Sequence, residues 1–289
     1  MAQNGDKNTQ SDEQVQSALG PDTARSKPVD NHSDDLDGMT FEVVEEEIQG
    51  GRGVRHKGIY LLPNLFTTGA LFSGFYGIVA AMNGMFEQAA IAIFVSMIFD
   101  GLDGRVARMT NTQSAFGAEY DSLADCISFG AAPALVSYSW ALSSLGKVGW
   151  MICFVYMACA ALRLARFNVQ LDTADKRYFT GLPSPSAAAV IAGMVWAGAD
   201  FGVAGEDVSI IAAALTLFSG VMMVSNLKYN SFKEIDFRGR VPFVAILIVV
   251  LAFAVISTDP SRVLLGLFLV YALSGPVSYL FKKKSVATG

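Results

Sequence analysis

Long apolar runs separated by short polar breaks occupy most of the chain, from about residue 59 to residue 281. About 20 apolar residues in a helix cross the ~30 Å hydrocarbon layer of a bilayer, and in lipid only a helix or a closed barrel satisfies every backbone polar group. The runs therefore predict an all-α, polytopic membrane bundle of about eight transmembrane helices. The predicted spans are residues 59–82, 86–108, 116–141, 147–169, 185–201, 207–227, 241–258 and 261–281.

Charge divides the chain into an acidic leading segment and a mildly basic apolar body. Residues 1–50 hold 12 Asp/Glu and 3 Lys/Arg, whereas the remaining residues hold 14 Asp/Glu and 18 Lys/Arg. A polar, acidic segment without apolar clusters cannot bury enough surface to order itself, and this one lacks the apolar core of a signal peptide. We predict a disordered acidic tail over residues 1–50 and an integral membrane domain over residues 51–289.

The basic residues predict how the spans are oriented. With eight spans, both termini lie on the same side of the membrane. The loops and span ends on that side then hold 16 Lys/Arg, and those on the other side hold only two, Lys147 and Arg262. Loops near transmembrane helices carry their excess of Lys and Arg on the cytoplasmic side. The sequence therefore predicts that both termini, including the acidic tail, are cytoplasmic.

The stretch DGLDGRVARMTNTQSAFGAEYDSLAD, residues 100–125, places several charges between two apolar runs. On a helix with 3.6 residues per turn, Asp103 lies about 60° from Asp100 around the axis, Gly104 about 40° away and Ala107 about 20° away. The end of the second span thus presents two aspartates and two small residues on one face.

The third span repeats this arrangement. Gly117, Asp121 and Asp125 follow i, i+4, i+8 spacing and share one helical face. Two antiparallel helices joined by the short segment MTNTQ can therefore direct four carboxylates into one volume.

Four carboxylates within a bilayer need a partner, because each costs roughly 2.5–3.5 kcal/mol on insertion scales. Hard divalent cations such as Mg²⁺, Mn²⁺ or Ca²⁺ suit carboxylate oxygens. A structural network with Arg105 and Arg108, or a proton relay, are the alternatives, but neither requires the small residues Gly104, Ala107 and Gly117. Arg108 suits a phosphate oxygen. Together these features suggest phosphoryl transfer on a lipid.

The complete spacing Asp100-x2-Asp103-Gly104-x2-Ala107-Arg108-x8-Gly117-x3-Asp121-x3-Asp125 resembles the signature of the CDP-alcohol phosphotransferase family. Members transfer a phosphoalcohol group from a CDP-linked donor to a hydroxyl acceptor and release CMP. The resemblance implies that the membrane domain is catalytic, with a six-helix core over about residues 59–227 and two additional C-terminal helices. It also implies a homodimer.

The resemblance implies roles for individual residues. Two divalent cations, Mg²⁺ or Mn²⁺, would be bound by Asp100, Asp103, Asp121 and Asp125, and Asp125 would also be the general base for the acceptor hydroxyl. The element LPNLFT at residues 62–67 resembles the family's first-helix element, although its Pro63 and Asn64 could simply form a turn at the start of a helix. The residues expected to bind the CDP-linked lipid are Asn64, Thr67, Gly104, Ala107, Arg108, Ser114 and Gly117.

Three further motifs resemble the phosphatidylserine-forming branch of the family, of bacterial integral-membrane type: RLARFNV at 163–169, FTGLPSPSAA at 179–188 and MVSNLKYNSFK at 223–233. The implied reaction is CDP-diacylglycerol plus L-serine giving phosphatidylserine and CMP, in the bacterial inner membrane. An arginine can hold the carboxylate of an amino acid bidentately, although positive-inside anchoring explains the same arginines. The predicted acceptor-binding residues are Arg163, Arg166, Asn168 and Lys228.

Other acceptors and one other class of protein remain open. Choline, glycerol 3-phosphate or an inositol compound could replace L-serine in the same chemistry, but a choline site would favour aromatic residues. A cation transporter could use the same carboxylates, but such proteins more often show broken helices or repeated halves. Membrane lipid is an expected partner and nucleic acid is not.

Overall fold

The computed structural model describes residues 44–49, 52–57, 61–110, 114–170, 178–230 and 243–287. Within these ranges the chain forms an all-α bundle of long helices with only short strands, which confirms the predicted fold class. The helices, in chain order, are α1 (Leu61–Met82), α2 (Phe86–Thr110), α3 (Ala115–Asp125), α4 (Ala132–Trp140), α5 (Lys147–Gln170), α6 (Ser184–Asp200), α7 (Ser209–Val224), α8 (Phe243–Thr258) and α9 (Pro260–Ala287).

Helices α3 and α4 form one continuous rod, because the π-helix Cys126–Ala131 joins them without a break. Counted in this way, the described residues contain eight long rods, and each overlaps one predicted span. The ends agree within three residues, except that α9 continues to Ala287 rather than ending at residue 281. Residues 282–285 are three lysines and a serine, so the apolar run ends at residue 281 while the helix continues.

Among the described residues, four helical segments are long and apolar enough to cross a membrane by length and composition. The remaining rods fall short for different reasons. The π-interrupted rod and α2 carry the charges of the predicted site, while α6 has 17 residues and α8 has 16, slightly fewer than the ~20 that a straight span needs. The four segments are Leu62–Met82, Lys147–Val169, Gly205–Val224 and Pro260–Leu280.

In the part of the chain that the structure describes, two pairs of short antiparallel strands accompany the helices, and the sequence analysis predicted neither. Strands β1 (Val44–Gln49) and β2 (Arg52–Lys57) form a hairpin. Strands β3 (Tyr178–Thr180) and β4 (Lys228–Asn230) pair the segment before α6 with the segment after α7. The hairpin begins within the predicted acidic tail. The rest of that tail, residues 1–43, lies outside the described residues, so its disorder stays a prediction.

Small residues bring the helices close together, as is usual where helices pack in lipid. A Cβ on Gly220 of α7 would lie 3.1 Å from the Cα of Tyr156 on α5. A Cβ on Gly193 of α6 would lie 3.0 Å from the Cα of Leu265 on α9. The C-terminal helix α9 is therefore packed directly on the same body that holds the aspartates.

Candidate active site

Carboxylates from α2 and α3 converge inside the bundle. One carboxylate oxygen from each of Asp100, Asp103 and Asp121 lies within 4.8 Å of the others. Asp125 lies one turn further along α3, within hydrogen-bonding reach of Asp100. Asp103 and Asp121 are also within hydrogen-bonding reach of each other. The structure thus brings the four aspartates together, as their helical spacing predicts.

The arrangement of oxygens fits a hard divalent cation. An ion with ligands at about 2.1 Å holds neighbouring ligand oxygens about 3 Å apart and opposite ones about 4 Å apart. Three carboxylate oxygens within 4.8 Å need little movement to reach such positions. The donor set is carboxylate only, which suits Mg²⁺ or Mn²⁺ rather than a metal that prefers sulfur or imidazole. The cluster can therefore hold a divalent cation.

The Asp103 side chain is buried, at 5% exposure. Its Oδ2 accepts a 2.9 Å hydrogen bond from the Thr67 hydroxyl of α1, and its Oδ1 accepts one from the backbone N–H of Gly104. Thr67, which the resemblance assigns to the CDP-linked lipid, therefore contacts a predicted metal ligand. Two donors hold the Asp103 carboxylate in a fixed orientation.

Three residues predicted to bind the nucleotide lie together where α1 meets the start of α3. Ser114 caps α3, and its Oγ accepts a 2.9 Å hydrogen bond from the Gly117 N–H. A Cβ on Gly117 would lie 3.1 Å from that Oγ and 3.4 Å from Oδ1 of Asn64. The Asn64 Nδ2 is buried without a hydrogen-bond partner among the described residues. A buried donor left unpaired is costly, so this atom indicates a place for a ligand oxygen.

Arg108 is exposed near the end of α2 and turns back over Gly104, where a Cβ would lie 3.9 Å from its Nη2. The guanidinium therefore lies beside the backbone of the carboxylate face, with no side chain on Gly104 between them. Ala107, on the same helix, is partly buried. Small residues here leave space for a group that approaches the helix between Arg108 and the aspartates.

Arg163 of α5 points toward the aspartate cluster. Its guanidinium lies within electrostatic range of Asp125, Asp100 and Tyr271. Its Nη1 donates a 2.6 Å hydrogen bond to the Ser184 hydroxyl of α6. Its Nε is buried without a partner among the described residues. Of the predicted acceptor residues, Arg163 is therefore the one that lies within electrostatic range of the carboxylates.

The other predicted acceptor residues make different contacts. Arg166 donates a 2.8 Å hydrogen bond from Nη2 to Oδ1 of Asn226, which joins the end of α5 to the segment after α7. Asn168 donates a 3.0 Å hydrogen bond from Nδ2 to Oγ of Ser122 on α3. Lys228 is exposed on β4 opposite Thr180. For Arg166 and Asn168 these contacts favour a role in holding helices together, whereas a substrate role stays a prediction.

The π-helix Cys126–Ala131 begins immediately after Asp125. It packs tightly against α1. A Cβ on Gly74 would lie 2.7 Å from Oγ and 2.8 Å from Cα of Ser128. The Ser128 hydroxyl also donates a 3.1 Å hydrogen bond to the Ala70 carbonyl. π-helical turns inside helices frequently occur at functional sites. The contact fixes the helix just beyond Asp125, and the sequence analysis missed it.

Ser184 and Tyr271 are two further residues that the sequence analysis missed. Ser184 lies inside the motif FTGLPSPSAA, which was singled out, but no spacing argument connects it with Arg163. Tyr271 lies on α9, about a hundred residues from Arg163 along the chain. The sequence feature that could have indicated Ser184 is its position between two prolines, which restrict the backbone around it.

The bundle brings four carboxylates, small residues and an arginine to one interior site. This combination is typical of an integral-membrane enzyme of the metal-dependent phosphotransferase class. The sequence model of the CDP-alcohol phosphatidyltransferase family matches residues 60–225. This match covers more than half of the chain, so the chain belongs to that family. The matched region contains α1 to α7, with all four aspartates and Arg163, whereas β4, α8 and α9 lie beyond it.

Relatives from three domains of life carry the same name, CDP-diacylglycerol–serine O-phosphatidyltransferase. The chain is 37% identical over 223 residues to the protein of Helicobacter pylori, covering 77% of this chain and 92% of that protein. It is 35% identical over 188 residues to that of Methanocaldococcus jannaschii, covering 65% and 82%. For the protein of Saccharomyces cerevisiae the identity is 40% over 139 residues, covering 43% and 50%.

Proposed function

We propose that this membrane enzyme transfers the phosphatidyl group of CDP-diacylglycerol to the hydroxyl of L-serine, giving phosphatidylserine and CMP in phospholipid biosynthesis. The observation that carries the proposal is the convergence of four aspartates and Arg163 at one interior site. The shared name of relatives that align over most of this chain supplies the donor and the acceptor. A cation transporter is not favoured, because the chain belongs to an enzyme family.

In the proposed reaction the serine hydroxyl oxygen attacks the phosphorus that carries diacylglycerol. The bond between that phosphorus and the bridging oxygen breaks, and CMP leaves with this oxygen. Asp125 accepts the hydroxyl proton as the new bond forms. Two divalent cations, Mg²⁺ or Mn²⁺, bound by Asp100, Asp103, Asp121 and Asp125, would stabilise charge on the pyrophosphate. The remaining side chains position both substrates.

The donor binds where α1, α2 and the start of α3 meet. The unpaired Nδ2 of Asn64 donates to an oxygen of the CDP moiety, next to Ser114 and Gly117. Arg108 holds phosphate oxygens, and the small residues Gly104 and Ala107 let the pyrophosphate approach the helix. Thr67 orients Asp103 through its hydroxyl, at the side of the cluster that the donor approaches.

The acceptor binds on the other side of the aspartates, against Arg163. L-serine brings a carboxylate, which an arginine can hold with two parallel hydrogen bonds. Choline has no anionic group and fits an arginine poorly. Glycerol 3-phosphate is the second candidate, because its phosphate would also suit Arg163. Arg166, Asn168 and Lys228 contribute less, since the described hydrogen bonds of the first two go to Asn226 and Ser122.

We further propose that the enzyme lies in a bacterial inner membrane as a homodimer with both termini cytoplasmic. The asymmetry of basic residues supports the orientation, and the family resemblance supports the dimer. Reporter fusions at each terminus test the orientation, and light scattering of the detergent-solubilised protein tests the dimer. A periplasmic signal from either terminus contradicts the first proposal, and a monomeric mass contradicts the second.

A single assay tests the function. Purified enzyme in mixed micelles receives CDP-diacylglycerol, Mg²⁺ or Mn²⁺ and one acceptor, and CMP release is measured. We expect CMP and phosphatidylserine with L-serine, and little CMP with choline, glycerol 3-phosphate or myo-inositol. Asp125→Asn should lose activity, whereas Asp200→Asn, at the exposed end of α6, should keep it. Faster release with another acceptor would overturn the assignment of L-serine.

A further inference from the structure

Among the described residues, side chains from α2, α3, α6 and α9 interact with Arg163 of α5. Asp100 and Asp125 are within electrostatic range on one side, and Tyr271 of α9 is within range as well. From α6, Ser184 accepts the 2.6 Å hydrogen bond from Nη1. The guanidinium therefore interacts with groups on several helices, and its one described hydrogen bond is to Ser184.

Ser184 is fully buried, and its backbone is held on both sides. It is the first residue of α6 and lies between Pro183 and Pro185, whose rings restrict the local φ angles. The preceding residues are also tied down, since Gly181 N–H donates to the Leu227 carbonyl at 2.8 Å. The Ser184 hydroxyl therefore has a fixed position, and the long, flexible side chain of Arg163 is held by its hydrogen bond to it.

The hydrogen bond to Ser184 leaves one edge of the guanidinium for a ligand. Arginine binds carboxylates through two parallel N–H groups on one edge of its planar fork. With Nη1 directed at Ser184, the edge formed by Nε and Nη2 remains, and its Nε is buried without a partner among the described residues. A buried charged donor without an acceptor is costly, and a carboxylate at this edge would satisfy it.

We propose that Ser184 is a positioning residue for acceptor recognition: it holds Arg163 in the rotamer that presents the Nε–Nη2 edge to the carboxylate of L-serine. The inference rests on the proposed function, and it adds Ser184 as the residue through which Arg163 is oriented to select a carboxylate. Because Asp125 lies within electrostatic range of Arg163, a substrate carboxylate held at this edge would leave its hydroxyl on the side of Asp125.

The test compares L-serine with serinol, in which a hydroxymethyl group replaces the carboxylate. The variants are Ser184→Ala, Ser184→Cys and Ser184→Thr, and the matched control is Ser186→Ala, two residues further along the same helix. For Ser184→Ala and Ser184→Cys we expect the KM for L-serine to rise about tenfold. The kcat, the KM for CDP-diacylglycerol and the kcat/KM for serinol should remain within about twofold.

The preference for L-serine over serinol is the deciding quantity, because a general loss of structure would lower both activities together. Ser184→Thr keeps the hydroxyl and should restore the preference, and Ser186→Ala should leave it unchanged. An equal loss for both acceptors, or an unchanged preference in Ser184→Cys, overturns the inference while leaving the function intact. If the unsubstituted enzyme releases no CMP with L-serine, the proposed function itself is wrong and the inference is wrong with it.

Discussion

The Thr67 hydroxyl of α1 lies 2.9 Å from Oδ2 of Asp103 on α2 and donates a hydrogen bond to it. Both residues are buried, at 3% and 5% exposure. This contact couples the first helix, which the resemblance associates with the nucleotide, to the carboxylate cluster. In the proposed mechanism, donor binding and carboxylate geometry therefore depend on the same pair of helices.

Thr67→Val should weaken catalysis without unfolding the protein, since valine keeps the shape but removes the hydrogen bond. We expect kcat/KM to fall about tenfold and the Mg²⁺ concentration for half-maximal activity to rise, because Asp103 loses one of its two orienting donors. The neighbouring Thr68→Val is the matched control, since the Thr68 hydroxyl contacts Asn64 and Tyr120 instead of an aspartate. Equal losses in both variants would contradict a specific role for the Thr67 hydroxyl.

Removal of divalent cations should abolish CMP release, because the carboxylate cluster then lacks the positive charge that stabilises the pyrophosphate. Activity should return when Mg²⁺ or Mn²⁺ is added in excess over EDTA. The variant Asp121→Asn should need a higher concentration of metal, whereas Glu119→Gln, exposed on the same helix, should behave as the unsubstituted enzyme. Full activity in EDTA would contradict the metal-dependent mechanism.

The convergence of the aspartates could be predicted from the sequence because it needs only helical periodicity and one short connection. Asp100 and Asp103 fall on one face of α2, and Asp121 and Asp125 on one face of α3, whatever the rest of the chain does. The long apolar runs likewise define the rods, since lipid requires continuous helices. Helical periodicity and hydrophobicity determine these features locally, so one sequence is sufficient to predict them.

Contacts between distant segments could not be predicted in this way. The side chain of Arg163 reaches from α5 to Ser184 at the start of α6 and lies within electrostatic range of Tyr271 on α9, which packs on α6. Helical periodicity does not show which distant segments lie close to one another. The π-helix after Asp125 contains Gly130 and is followed by Pro133, which indicate a disturbed helix but do not specify a π-helical turn. Strands β3 and β4 have three residues each, too few for an alternating pattern.

Gly74→Ala should destabilise the contact between α1 and the π-helix. The new Cβ would lie 2.8 Å from the Cα of Ser128, so backbone must move, at a cost of roughly 1–3 kcal/mol. We expect a lower thermal midpoint in detergent and reduced activity, because the segment next to Asp125 shifts. Gly266→Ala is the control, since no atom lies within 4 Å of its Cβ position and alanine favours the helix. Equal midpoints would contradict the tight contact.

Tyr271→Phe tests whether α9, which lies outside the region matched by the family, contributes to the acceptor pocket. Tyr271 lies within electrostatic range of Arg163, and its ring packs 5.6 Å from that of Tyr229, whose hydroxyl donates to the Ala272 carbonyl. Phenylalanine keeps this ring packing and removes only the hydroxyl. We expect the KM for L-serine to rise about threefold at an unchanged thermal midpoint. The control is Tyr279→Phe, since Tyr279 is exposed two turns further along α9, and this change should leave the KM for L-serine unchanged. An unchanged KM in Tyr271→Phe would show that α9 does not contribute to acceptor binding.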